Sequence, residues 1–117
     1  MLDPNAPESA VKDAVKRLCG KYGAYWYMVV PSGFGRRGVP DFLICHKGRF
    51  LGLETKKADI STPSPFQEQE LAAIAAAGGT RMVINARNLA ELEAWLAGRK
   101  PAHWIDQYAV TDFNDES

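Results

Sequence analysis

The chain has 117 residues, of which 46% are hydrophobic and 24% charged. That suits one globular domain and excludes a disordered, collagen-like or bilayer-spanning chain, since no apolar run approaches the length a bilayer requires. Net charge is zero, but residues 1–57 carry ten Lys/Arg against five Asp/Glu, and residues 58–117 carry four against nine. A basic half suits a polyanionic partner, and the wholly acidic charge after Ile105 suits a solvated tail. The expected organisation is one domain over 1–105 and an acidic tail over 106–117. The first ten residues lack the basic-then-apolar pattern of a signal peptide, so the expected location is the cytoplasm, with no membrane association.

In chain order, Val11, Ala14, Val15 and Leu18 recur at helical spacing and predict a first helix from about Ala6 to Cys19. Asn5 with Glu8 reads as a capping box, and Gly20 reads as the stop. Tyr25 to Val30 is aromatic and β-branched and predicts a strand, with Tyr25, Trp26 and Tyr27 expected in the core or on the sheet surface. A Gly-rich basic loop, Pro31 to Gly38, follows. Strands are predicted over Asp41–His46 and Arg49–Lys56, joined by the turn Lys47-Gly48. Ser64, Pro65 and Gln67 open a second helix that Gly78-Gly79 closes. Arg81–Asn85 predicts a fourth strand and Asn88–Ala97 a third helix. The order is αβββαβα, an α+β fold with a mixed sheet. Cys19 and Cys45 lack zinc or redox spacing and are expected as reduced core residues.

The chemistry follows from one hairpin. If Lys47-Gly48 is a two-residue loop, His46 pairs with Arg49, and counting back puts Asp41 opposite Glu54. Opposed side chains stand roughly 5 Å apart at Cβ, where two carboxylates repel. A hard divalent cation resolves that repulsion, because Mg²⁺ binds carboxylates together with water and phosphate. Lys56 projects from the face of Glu54, and Gly52 on that face is expected to leave room for a substrate backbone. The expected roles place Asp41 and Glu54 on a metal, with the backbone carbonyl of Thr55 as a further ligand for which its side chain would not matter. Lys56 positions water or stabilises the developing oxyanion in phosphodiester hydrolysis. Arg36, Arg37 and Lys57 are the expected DNA-binding residues. Lys47 and Arg49 are weaker candidates at the far turn, and Phe34 is expected either as a wedge or in the core. His46 and His103 have no assigned role. Trp104 and Ile105 are expected to pack the last segment down or to contribute to a dimer surface.

Gly38-Val39-Pro40-Asp41, then Leu53-Glu54-Thr55-Lys56, then Gln67 opening a helix that ends at Gly78-Gly79, resembles the PD-(D/E)XK nuclease superfamily. Within it, the chain resembles the virus-type replication-repair nuclease (VRR-NUC) domain over about residues 8–97. The resemblance implies a restriction-endonuclease-like αβββαβ core, Mg²⁺ or Mn²⁺ dependence and a 5′-phosphate product. It also implies that Glu8 joins the metal site and that Gln67 supports Lys56, where helix capping is the alternative for each. Gln69 lies elsewhere on the helix and is weaker. Small members resemble Holliday-junction resolvases, which implies a homodimeric, structure-selective DNA endonuclease acting on branched DNA in repair, replication or recombination. The alternatives are a non-catalytic nucleic-acid-binding domain and a nuclease of flap, exonuclease or restriction-like specificity.

Overall fold

The computed structural model describes residues 2–58 and 62–99. Expectations for His103, Trp104, Ile105 and the tail 106–117 lie outside the described residues. The elements are α1 (Glu8–Tyr22), β1 (Tyr25–Met28), β2 (Phe42–His46), β3 (Arg49–Thr55), α2 (Pro65–Ala76), β4 (Thr80–Ile84) and α3 (Leu89–Leu96). They form one four-stranded sheet in the order β1-β2-β3-β4. The first three strands run antiparallel, and β4 lies parallel to β3. No described helix is long and apolar enough to cross a membrane.

Alternation sorts the sheet into two faces. Phe42, Ile44, Leu51, Leu53, Met82 and Ile84 point to one side and form the core with Val11, Val15 and Cys19 of α1 and Leu92, Trp95 and Leu96 of α3. On the other side, α2 packs against β3 and β4. Gly52 belongs to that second face, and a Cβ there would overlap the Cδ1 of Ile74. The space expected above Gly52 for a substrate is therefore filled by α2, and the glycine is needed for close helix–sheet packing.

Helix α1 starts and stops later than the sequence signals suggest. Pro7 is its N-cap, no side chain caps it, and the Asn5 amide bonds Asp3 instead of Glu8. The helix runs through Gly20 to Gly23, which sits in the left-handed region with φ 71 and lets Ala24 N–H reach back to Cys19 O at 2.9 Å. Leu18 and Tyr22 pack on the core, and the Tyr22 hydroxyl donates to Glu93 of α3 at 2.8 Å. Tertiary contact thus outweighs the helix-weakening effect of one glycine. Strand β1 is an edge strand whose Tyr25 and Tyr27 are exposed, and Cys45, expected in the core, is exposed on the adjacent strand. His46 is buried against Trp95.

The loop before β2 is tied down at Gly38. Its φ is 83, and a Cβ there would overlap the backbone carbonyl of Phe66 in α2. Gly38→Ala combines a strained backbone with a clash against backbone, so it should cost on the order of 1–3 kcal/mol. Gly52→Ala meets side chains rather than backbone, the flexible end of Ile74 and, less closely, the Pro40 ring, and should cost less. Urea unfolding midpoints check the order, and equal losses would contradict the packing described for Gly38.

Candidate active site

The expected hairpin register is the observed one. Lys47 and Gly48 have φ 52 and 78, the two positive values of a type I′ turn, and His46 pairs with Arg49. The ladder continues to Phe42 opposite Leu53. One step further, at the mouth of the hairpin, come Asp41 and Glu54. Asp41 stays on the ladder's line, since its carbonyl accepts from Val29 N–H at 2.8 Å.

Three elements converge on that mouth. Asp41 Oδ2 accepts from the Thr55 N–H at 2.8 Å and from the Thr55 hydroxyl at 2.6 Å. Glu8, the first residue of α1, brings its Oε2 within 3.2 Å of the same hydroxyl. The single hydroxyl proton goes to the nearer oxygen, that of Asp41. From the other side, α2 supplies Gln67, whose Nε2 donates to Glu54 Oε2 at 2.7 Å. The capping box of Ser64 and Gln67 is also formed, so the Gln67 side chain serves both purposes with its two ends. The resemblance implied support for Lys56; the observed partner of Gln67 is Glu54.

Glu54 is the electrostatic centre of this arrangement. It is 3% exposed, and its Oε1 is buried with no donor reaching it from another described residue, while the carboxyl itself hydrogen-bonds to that of Asp41 when it holds a proton. Burial, then the negative charge of Asp41, push its carboxyl up to about 8, against the opposing pull of Lys56. A buried acceptor left without a donor is unfavourable and uncommon in a folded protein. Without an ion, a proton held on Glu54 and shared with Asp41 answers it, as the raised carboxyl implies, and a cation is the other chemical answer. Asp41 and Glu54 offer hard oxygen donors, and the Thr55 carbonyl lies on the same edge of β3 as the N–H that reaches Asp41, so the set fits Mg²⁺ or Mn²⁺. Glu8 does not complete a ready-made ligand trio. It leans on Thr55 and pairs with Lys12 at 3.6 Å, and no three His, Cys, Asp or Glu side chains among the described residues are grouped to hold an ion.

Two expectations change. The Thr55 side chain does matter: it is fully buried, and its hydroxyl fixes Asp41. The signal in the sequence is a threonine that follows Leu51 and Leu53 at the same alternation, on the core face where an apolar residue is due. Of the basic residues, Arg36 forms a two-pronged ion pair with Glu70 of α2 at 2.9 and 3.1 Å. The Arg37 guanidinium lies 4.3 Å over the Phe66 ring. Lys57, next after Lys56, is exposed. Lys47 and Arg49 sit at the opposite end of the hairpin, roughly 20 Å away at strand rise. There Arg49 stacks on Trp95 and donates to its carbonyl at 2.8 Å. Gln69 is exposed on α2.

No protein-family model and no curated protein matches the sequence. Among solved structures, one described as a VRR_NUC domain is similar, at 22% identity, over 86% of this chain and 96% of that one, with a TM-score of 0.60. The chain has the fold of that domain. The restriction-endonuclease-like αβββαβ core expected from the sequence is thereby borne out.

The raised carboxyl makes stability depend on pH. A carboxyl whose folded value lies above its unfolded value contributes stability that is present below about 4.5 and lost as pH rises through about 8. In chelator, the wild-type Tm should fall across that interval, and Glu54→Gln should flatten the fall and melt higher than wild type above about pH 8. Thermal melts across the pH series check this; an unchanged slope in Glu54→Gln would assign the dependence to other groups.

Proposed function

We propose that the chain is a Mg²⁺- or Mn²⁺-dependent deoxyribonuclease that hydrolyses phosphodiester bonds, with branched DNA as its substrate. The observation that carries this reading is the buried Glu54 carboxyl set beside that of Asp41 at the end of β3, with no other described residue donating to its Oε1. The likeness in fold to a VRR_NUC domain supports it.

In this reading Asp41, Glu54 and the Thr55 carbonyl hold the ion, which when bound acidifies water and offsets phosphate charge. Thr55 fixes Asp41 through two hydrogen bonds, and Gln67 fixes Glu54 through one. These contacts keep both carboxylates aimed without the ion having to order them, the preorganisation that electrostatic catalysis requires. Lys56 supplies a positive charge on the face of Glu54, where it orients the attacking water or stabilises the charge developing on the phosphate. Glu8 acts through Thr55 as a positioning residue. Arg37 and Lys57 contact the DNA backbone without reading sequence, and Arg36 braces the loop that carries Arg37. A homodimer would present two such sites to a four-way junction, and the outer edge of β1, with Tyr25 and Tyr27 exposed, offers room for a second copy.

The test is cleavage of matched linear, single-stranded, flapped and four-way DNA by wild type, Asp41→Asn and Lys56→Ala. Wild type should cut branched DNA fastest and only with Mg²⁺ or Mn²⁺. Lys56→Ala should bind DNA as wild type does and lose at least about 100-fold in turnover, the scale of one removed transition-state contact. A variant that cut as well as wild type would remove Lys56 from the mechanism, and wild type inert on every substrate with both metals would contradict the nuclease reading.

A further inference from the structure

We propose that Phe34 is a base-stacking residue, receiving an unpaired DNA base beside the candidate active site and so favouring DNA with unpaired bases over continuous duplex. The proposal rests on the nuclease reading above and names what sets its substrate class.

The Phe34 side chain is 97% exposed. It lies between Gly33, with φ 82, and Gly35, and its N–H donates to the Ser32 hydroxyl at 3.2 Å. The turn so formed has no bulk on either side of the ring. A lone exposed Phe is uncommon but unremarkable on its own. The mounting is what gives it meaning. C-terminal to the tip, the loop is fixed at successive points: Arg36 to Glu70, Arg37 over Phe66, and Gly38 pressed against the backbone of Phe66 and Gln67. All three anchors lie on the first two turns of α2, and Gln67 is the residue that holds Glu54. Only the tip projects. Three residues separate Phe34 from Gly38, so the Cα of Phe34 stands within roughly 14 Å of a residue in contact with the site's own support.

The surroundings decide the occupant. A protein-interface anchor sits in an apolar patch that excludes water. Along the chain Phe34 is flanked by Ser32, two glycines and two arginines, and the half-exposed Phe66 on the neighbouring helix is covered by the Arg37 guanidinium rather than joined to Phe34 in an apolar patch. That combination of one π-face with nearby cationic groups suits single-stranded nucleic acid, whose bases stack on aromatics while phosphates meet the cations. In continuous duplex every base is already stacked on its neighbours, so no face is offered. At a junction, flap or single strand one is.

The test measures binding of wild type, Phe34→Ala and Phe34→Trp, with Ca²⁺ in place of Mg²⁺, to a single-stranded oligonucleotide carrying 2-aminopurine and to a matched linear duplex. Wild type and Phe34→Trp should quench the 2-aminopurine. Phe34→Ala should lose the quench and bind the single strand roughly 5- to 150-fold more weakly, the loss expected for one stacked base. Its duplex affinity should stay within about twofold of wild type. Unchanged single-strand binding by Phe34→Ala, or an equal loss on duplex, would overturn the stacking role while metal-dependent cleavage by wild type left the nuclease reading standing. Wild type that neither bound nor cut any DNA would overturn both.

Discussion

Two carboxylates are held close together at the mouth of one hairpin, and the rest of the molecule is arranged around that unfavourable contact. The hairpin turn sets it. Lys47 and Gly48 both adopt positive φ, which matches the twist of paired strands and leaves one register. Because side chains alternate, a slip by one residue would send Glu54 into the apolar core and Leu53 to the mouth. Leu51 and Leu53, both fully buried, make that slip costly. Core packing on one face of β3 therefore aims the acid on the other.

What surrounds the pair fixes its geometry. Thr55 grips Asp41 from the core side, Gln67 grips Glu54 from the α2 side, and Glu8 reaches Thr55 from the start of α1. Two helix N-termini thus meet the end of one strand. Gly38 adds the fourth support, letting the loop before Asp41 lie directly on the first turn of α2. Among the described residues, none but Asp41 is left to share a proton with the Oε1 side of Glu54. An active site that carries such a pair is held in place by the surrounding packing, and the electrostatic cost is the feature that a cation would relieve.

Much of this was legible in the sequence. Element order, the hairpin register, the Ser64–Gln67 cap and the opposition of Asp41 and Glu54 follow from turn chemistry and period-two alternation, which are local. The misreadings concern contacts between distant segments. Gly20 looked like a helix stop, but packing of Leu18 and Tyr22 carries α1 on to Gly23. Asn5 and Glu8 had capping spacing, yet the chain enters the helix through Pro7 and Glu8 turns to Thr55. Gly52 read as space for substrate because no local pattern announces that Ile74, 22 residues on, will fill it. The Thr55 side chain, unlike its carbonyl, was set aside because its hydroxyl acquires a partner only when β2 and β3 are paired. The pairing of Arg36 with Glu70 was not legible either, because Glu70 lies 34 residues further along the chain.

The claim on which the account turns is that Asp41 and Glu54 share one cation. Calorimetric titration of Mn²⁺ into wild type, Asp41→Asn and Glu54→Gln measures this directly. The account predicts one ion per wild-type chain and at least about tenfold weaker binding in each variant, since removing either ligand charge removes a coordinating oxygen. Wild-type affinity in both variants, or no Mn²⁺ bound by wild type at all, would contradict it.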